Sequence, residues 1–451
     1  MVKVQRGDIM EPLSIQSYSQ ENDPERSLIQ KKLTWFEDQK LGVIFHWGLY
    51  AEAGIVESWQ LSEEDEWARK PVAWREDVKE LQRDYWNLIE TFNPTEFDPK
   101  EWARLCRQAG FKYMIFTTKH HDGFHLYDTQ ESDFKVGGSR SPYKGDIYRD
   151  VVEAFRDEGI AIGAYYSKAD WYSPDYWVDN GTKKGRRANY DTLLEADRWE
   201  RYVQYVHREL EEITQNYGQT DILWLDAGWC GKGREDLRMD ELAEKVRKTN
   251  PDLLIVDRMM GGRHENYVTP ERRIPRVQEI PNQTWESNIP LGRDWGYVPT
   301  DRYKSSQEII SLVIDVVTKG GNLLLGVGPK PDGTFTEESK KILNDLGQWL
   351  TVNGEGIYGT RAISDLTDDR QWKVTKKETY YYGFYEWPKG CTSPKELVFS
   401  KQDVEGHPIK GIWTLDKGEI VDFKEKGTDY LLTLPKRDYA WDIIALKIEI
   451  S

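Results

Sequence analysis

Residues 222–229 read ILWLDAGW: four apolar residues run into one carboxylate, Asp226, and then into small residues. The same shape, a continuous apolar run stopping at polar or glycine residues, recurs at GVIFHWG (42–48), YMIFTTKHH (113–121), AIGAYYSKAD (161–170), LLIVDR (253–258) and NLLLGVG (322–328). Runs of this kind read as parallel strands buried on both faces. Between them lie longer, charged, amphipathic stretches that predict helices over 98–110, 148–159, 198–218, 238–250 and 306–321. The first of these, DPKEWARLCRQAG, opens with Asp then Pro and closes with Gly, as a helix should.

Strand, loop and helix repeated in this way give an α/β fold with a parallel sheet, and the right-handed crossover rule lets that sheet close into a (β/α)8-like TIM barrel. Chemistry in such barrels sits at the C-terminal strand ends. Here those ends carry His46, His120, His121, Tyr165, Asp226 and Arg258. Four of the seven histidines, His46, His120, His121 and His125, fall at the ends of the first two strands, which scattered surface histidines would not do.

Outward from the barrel the pattern changes. After NGEGIYGTR (353–361), short alternating segments such as KELVFS, IKGIWTLD and IIALKIEI read as a C-terminal antiparallel β-sandwich. The expected division is a catalytic barrel over residues 1–354, its first 30 or so residues a loose polar arm, and a sandwich over 355–451. Residues 51–92 are too long and polar for a tight barrel turn and read as a large loop over the first strand's end.

With 62 basic and 78 acidic residues in 451, the formal charge of -16 argues against nucleic acid or an anionic membrane as partner and favours a neutral substrate. Three cysteines far apart support neither a disulfide framework nor a structural zinc site. The N-terminus lacks a basic segment followed by an apolar core, so a cytoplasmic location is expected, although a trimmed export signal leaves the same appearance. Oligomeric state is not legible.

Asp226 at a strand end suits a nucleophile or electrostatic stabiliser, and equally a helix N-cap. Glycoside hydrolysis needs a second carboxyl group to protonate the leaving oxygen. Glu271, in YVTPERRIP, and Glu286, in TWESNIP, compete for that part. KHHDGFH (119–125) has a metal reading, but no carboxylate at helical spacing completes a zinc motif, so hydrogen bonding to hydroxyls is preferred and no metal or other cofactor is expected.

Taken together, WFEDQKLGVIFHWGLY (35–50), FNPTEFDPKEWARLCRQAGFKYMIFTTKHHDGFHLYDT (92–129), YYSKADW (165–171), LWLDAGW (223–229), VDRMMGG (256–262), TPE (269–271), WES (285–287), DWGY (294–297), NLLLGVGPKPDGT (322–334) and NGEGIYGTR (353–361) resemble the α-L-fucosidases of glycoside hydrolase family 29. The resemblance implies a (β/α)8-like barrel followed by a β-sandwich. It also implies exo-acting, retaining hydrolysis of terminal α-L-fucose from oligosaccharides or glycoconjugates through a covalent fucosyl-enzyme. It implies Asp226 as nucleophile and Glu271 as acid/base, with Glu286 still competing. The sugar-holding set it implies is His46, His120, His121, Tyr165, Trp224 and Arg258.

Two departures stand out. The family's Glu-Trp pair after the first strand has two candidates here, GIVESWQ and EDEWAR, and Glu66 is preferred over Glu57. NLLLGVGP carries Gly326 where Asn is usual. These leave open a related specificity for another 6-deoxy or galacto-configured sugar, and, from another class, a catalytically silent carbohydrate-binding protein on the same scaffold.

Overall fold

A computed structural model describes residues 24–258, 260, 264–388 and 391–451. Of the expected polar arm, residues 1–23 lie outside the described residues, and the remainder is helix α1 (Pro24–Gln39) rather than coil. Its sequence is charged nearly all round, which hides it from a periodicity reading. Phe36 alone reaches deep, packing against Tyr113 and Tyr267 so that the helix caps the floor of the barrel.

The chain continues through β1 (Leu41–Phe45), α2 (Leu49–Ala53), α3 (Val78–Trp86), α4 (Pro99–Ala109), β2 (Tyr113–Lys119), α5 (Ile147–Asp157), β3 (Ala161–Ser167), α6 (Ala196–Gln215) and β4 (Ile222–Asp226). It then forms α7 (Met239–Arg247), β5 (Leu254–Asp257), β6 (Glu286–Pro290), α8 (Ser306–Thr318), β7 (Asn322–Val327) and α9 (Glu337–Asn353). The seven strands make one curled parallel sheet in the order β5-β4-β3-β2-β1-β7-β6. Six of them are the six apolar runs. The seventh, β6, reads ESNIP and has one aliphatic residue, yet all five positions are buried.

Local signals set the helix ends. Asp98 accepts from the backbone N–H groups of Lys100 and Glu101, and Gly110 closes α4 at φ 95°, a conformation that glycine adopts without strain. Alternation along each strand then divides the side chains between two cores. Ile44, Ile115, Tyr165, Ile222, Trp224, Val256 and Leu324 fill the barrel, while the opposite faces pack against the helices. At the floor, a Cβ on Gly42 would lie 2.2 Å from the Tyr113 ring, so that glycine is the room the tyrosine uses.

The sheet does not close on itself. Between β5 and β6 runs a U-shaped segment that descends beside β5, with Val256 bridging Glu265 in antiparallel fashion, and ascends beside β6, with Val268 opposite Trp285 and Glu271 opposite Asn288 in parallel. The backbone bonds Asn266 N–H to Ile255 O (2.9 Å), Glu286 N–H to Val268 O (2.9 Å) and Arg272 N–H to Asn288 O (2.9 Å) seal the gap. This seam takes the place of an eighth strand.

Residues 51–92, expected as one large loop, instead contain α3 and short 3-10 turns packed over the mouth. Tyr85 donates to Asp122 (2.6 Å) and the Trp86 indole to Asp122 O (3.2 Å), tying this excursion to the KHHDGF turn. After α9 come β8 (Arg361–Ala362), β9 (Trp372–Lys377), β10 (Tyr380–Glu386), β11 (Glu396–Ser400), β12 (Ile409–Thr414), β13 (Asp422–Lys426), β14 (Asp429–Thr433) and β15 (Ile443–Ile450). They pair antiparallel as a five-stranded sheet, β12-β15-β10-β9-β8, and a three-stranded one, β11-β14-β13, around a core of their own that includes Trp372, Phe399 and Leu432. Thr375 Oγ1 to Gly356 O (2.8 Å) and Lys447 to Glu355 (2.6 Å) dock them on the barrel's last turn. Among the described residues no helix is long and apolar enough to cross a membrane.

Candidate active site

Asp226 is the last residue of β4 and lies in register with Ser167 at the end of β3. Its side chain points into the barrel, as Trp224 does two residues earlier. Oδ1 accepts from Arg258 Nη1 (2.7 Å) and Oδ2 from the Tyr165 hydroxyl (2.7 Å), which also meets Ser167 Oγ (2.9 Å). Burial by itself pushes this carboxyl up, but the Arg258 guanidinium, together with His121 and the hydrogen bonds from the Tyr165 hydroxyl and the Ala227 N–H, outweighs it, so Asp226 is held well below the usual carboxylate range. At neutral pH it is ionised and fixed, and every lone-pair direction in use belongs to a neighbour that itself is locked. The following residue, Ala227, takes φ 74°, a left-handed conformation that aims the chain away from the strand immediately after the carboxylate.

Arg258 follows β5 and is buried, with its guanidinium carbon 4.4 Å from the Trp224 ring centre. Its other terminal nitrogen, Nη2, donates to Glu271 Oε2 (2.7 Å), and its Nε donates to Thr269 Oγ1 (3.1 Å). One planar fork therefore holds both carboxylates, with Asp226 Oδ1 and Glu271 Oε2 a single guanidinium apart. The two differ in access. Asp226 is 16% exposed at the side chain, and Glu271, on the seam, is 42% exposed.

The histidines complete the cup. His46 continues β1, its N–H reaching Val327 O (3.2 Å). Burial lowers its pKa to about 3, and burial likewise depresses His120 and His121, so all three rings are neutral at pH 7. His121 Nδ1 faces the Ala169 carbonyl (3.0 Å) and must donate to it, leaving Nε2 as a bare acceptor 3.8 Å from Asp226 Oδ2. His120 Nδ1 meets Ser58 Oγ (2.5 Å). His46 Nδ1 and His121 Nε2 are buried without a bonding partner. Polar atoms left bare in a concave, aromatic-walled mouth suit a ligand with several hydroxyls.

Three residues to which the sequence reading assigned no part belong to the same mouth. Trp295 stacks on His46 (centroids 5.3 Å, 28°), Trp59 packs edge-on to His121 (5.3 Å), and Ser58 holds His120. Ser58 and Trp59 directly follow Glu57 in GIVESWQ, and nothing in their spacing marks them as mouth residues. Trp171 and Trp229 close the wall around His121 at 4.8 and 5.2 Å.

Two expected site residues do not reach the mouth. Glu286 begins β6, level with Asn322 at the start of β7, and accepts from the Tyr113 hydroxyl (2.5 Å) near the barrel floor. It is fully buried, and burial raises its pKa to about 7. A strand's first residue sits at the end opposite the chemistry, so the fold sets Glu286, expected as the competing acid, away from the mouth that holds Asp226 and Glu271. Glu66, preferred over Glu57 as a sugar contact, lies in solvent with its side chain 71% exposed and pairs with Lys70 one turn on (3.4 Å). Glu57 is the buried one of the two; its Oε1 accepts from Trp295 N–H and Gly296 N–H, both at 2.8 Å.

The metal reading of KHHDGFH divides as well. His125 leaves the mouth and joins Asp170 and Glu209 in a buried group whose ligand atoms lie within 4.8 Å of one another. Lys119 Nζ already sits there, bonded to Asp170 (2.9 Å) and Glu209 (2.6 Å), so an ammonium holds the position a cation would take. On the outer face of the same wall, buried Lys168 pairs with Asp257, crossing behind β4 at the level of Asp226.

The alpha-L-fucosidase family model matches residues 10–355. Tissue alpha-L-fucosidase of Rattus norvegicus is 27% identical over 423 residues, covering 89% of this chain and 86% of its own. Among solved structures, alpha-L-fucosidase isoenzyme 1 from Paenibacillus thiaminolyticus superposes with a TM-score of 0.78 at 28% identity, covering 94% of this chain and all of the other (100%). The Thermotoga maritima alpha-fucosidase in complex with a mechanism-based inhibitor gives 0.72 at 28%, covering 94% and 99%. A match across more than three hundred consecutive residues, over the whole barrel and both carboxylates of its mouth, leaves one conclusion: the chain belongs to the alpha-L-fucosidase family of glycoside hydrolases.

Proposed function

We propose that this enzyme is an exo-acting, retaining α-L-fucosidase that removes terminal α-L-fucose from neutral oligosaccharides or glycoconjugates, with Asp226 as nucleophile and Glu271 as acid/base. The observation that carries the reading is the shared guanidinium: Arg258 brackets an ionised, locked carboxylate and a solvent-reachable one at 2.7 Å each. In the first step an Asp226 oxygen forms a bond to the anomeric carbon as the glycosidic C–O bond breaks, and the proton of the Glu271 carboxyl goes to the departing oxygen. In the second, the Glu271 carboxylate takes a proton from water, the water oxygen bonds to the anomeric carbon, and the Asp226 ester is released.

The environments suit this division. A nucleophile must stay ionised, and Asp226 does; an acid/base gives one proton to the departing oxygen and takes one back from the attacking water in each turnover, and Glu271 is open to that water. The neutral histidines can donate to and accept from ring hydroxyls, while Trp224, Trp295 and Tyr165 offer apolar faces to the side of the sugar that bears the methyl group.

The test is release of 4-nitrophenol from 4-nitrophenyl α-L-fucoside, beside the β-L-fucoside and the α-L-galactoside, by wild type and Asp226→Ala. Hydrolysis of the α-L-fucoside alone, abolished in the variant, supports the reading; preference for the galactoside would redirect it, and turnover surviving Asp226→Ala would remove Asp226 from the chemistry.

A further inference from the structure

The two departures from the family pattern, an undecided glutamate after β1 and Gly326 in β7, meet at one side chain. Trp295 is nearly buried, and four contacts fix its ring. Its face lies on His46, the Arg272 guanidinium covers it at 5.2 Å, and a Cβ on Gly326 would come within 2.6 Å of ring atom Cε3 and 2.8 Å of Cζ3. The fourth contact acts through the backbone: Glu57 Oε1 accepts from the N–H groups of Trp295 and Gly296 at 2.8 Å. Neighbours keep this turn tight, since a Cβ on Gly296 would lie 2.9 Å from the Tyr50 ring and one on Gly328 only 2.4 Å from the Gly296 carbonyl carbon.

Glu57 itself touches nothing in the mouth by these bonds; burial raises its pKa to about 7, and an oxygen that takes two amide protons anchors the turn as an acceptor in either protonation state. We infer that Glu57 is a positioning residue of the sugar pocket, acting through Trp295: it pulls the 294–296 turn inward so that the indole presses on His46, in space that exists only because residue 326 is glycine. The inference rests on the proposed fucosidase reading for its enzymatic readout. It explains why a buried carboxylate and a missing side chain occur in the same chain: removing either partner of this arrangement makes the other pointless.

The experiment is a set of double-mutant cycles read by KM, kcat and the inhibition constant of L-fucose. Glu57→Ala is expected to raise KM and the fucose inhibition constant about tenfold while kcat stays within about threefold, a change in ground-state binding. Glu57→Gln, which keeps an acceptor oxygen, restores most of the binding. Gly326→Ala acts in the same direction as Glu57→Ala by pushing the ring outward. In a Trp295→Ala background neither substitution adds further loss, because the route through the indole is already cut. Additive losses, or a fall in kcat with unchanged fucose affinity, overturn the inference.

A second readout needs no substrate. The His46 imidazole carbon-bound protons, assigned by loss in a His46→Asn sample, sit under the ring current of Trp295, and both Glu57→Ala and Gly326→Ala should move them downfield while Glu57→Gln does not. If His46 signals ignore both substitutions, the relay is absent whatever the kinetics show. If instead the wild type hydrolyses no fucoside but these shifts appear, the functional reading fails and the relay stands.

Discussion

The wall formed by β1 to β4 and the seam between β5 and β6 each deliver one carboxylate to the same guanidinium, and they do it in opposite ways. On the wall, Asp226 ends a regular strand, its oxygens are taken by Arg258 and Tyr165, and buried pairs brace the strands from outside. On the seam, Glu271 ends an irregular segment held by a handful of backbone bonds and stands in reach of solvent. The contrast follows from the chemistry. A nucleophile gains from being held still and ionised, whereas a group that gives up a proton and later takes one back needs water and some freedom.

The sharpest way to break this comparison is at its two ends. Asp226→Ala should leave folded protein with turnover of aryl α-L-fucosides reduced by about 10⁴-fold or more. Glu271→Ala should lose about 10²–10⁴-fold on fucosides with poor leaving groups and far less on activated aryl fucosides. Equal losses across leaving groups would mean that the seam does not supply the acid. Arg258→Met joins the two regions: a fall of about 10²–10³-fold in kcat/KM is expected. The pH profile should shift too. Arg258 depresses the Asp226 pKa, so without it the carboxyl rises toward its ordinary value and the acid limb of activity moves to higher pH. An unmoved acid limb would show that the guanidinium does not tune the nucleophile.

Behind the wall, Lys119→Met should cost about 3–5 kcal/mol of stability by stranding Glu209 and Asp170, measured by denaturant unfolding. The pH dependence has a definite sign. Burial pushes Glu209 up, but Lys119 and His125 outweigh it and hold its pKa at about 2, below the ordinary 4.5. Its contribution is therefore complete above pH 4.5 and is lost as pH falls from there toward 2, and Lys119→Met should flatten that part of the stability profile. The smallest effect is expected at Glu66→Gln, whose side chain lies in solvent: kinetics within about twofold of wild type, consistent with the weakness of exposed pairs. A large loss there would restore Glu66 as a sugar contact.

The same division governs what could be read beforehand. Strand-end residues of the wall, His46, His120, His121, Tyr165 and Asp226, announce themselves because a buried parallel strand must be continuously apolar until it reaches the mouth. β6 escapes that rule: it spends its interior positions on Glu286 and Asn288, so its sequence looks like a turn and its glutamate like a catalyst. Helix α1 escapes for the converse reason, burying little more than Phe36 and Ile29. Choosing between Glu57 and Glu66 required knowing which segment of the excursion folds inward, a tertiary matter that neither spacing nor residue type encodes. Trp295 was hidden differently, because its place depends on Gly326, thirty-one positions later, having no side chain.

The seam has a consequence for how such an enzyme can change over generations. Sliding β4 by one residue would turn Asp226 out of the barrel and every core side chain of that strand with it, so the position of this carboxylate is frozen by the ladder on either side. The stretch that carries Glu271 is held by isolated bridges, Val268 to Trp285 and Glu271 to Asn288, and not by a continuous ladder. Residues can be gained or lost along it without shifting the register of β4, leaving the proposed proton donor free to migrate, and the accepted leaving groups to diversify, around a proposed nucleophile that stays where it is.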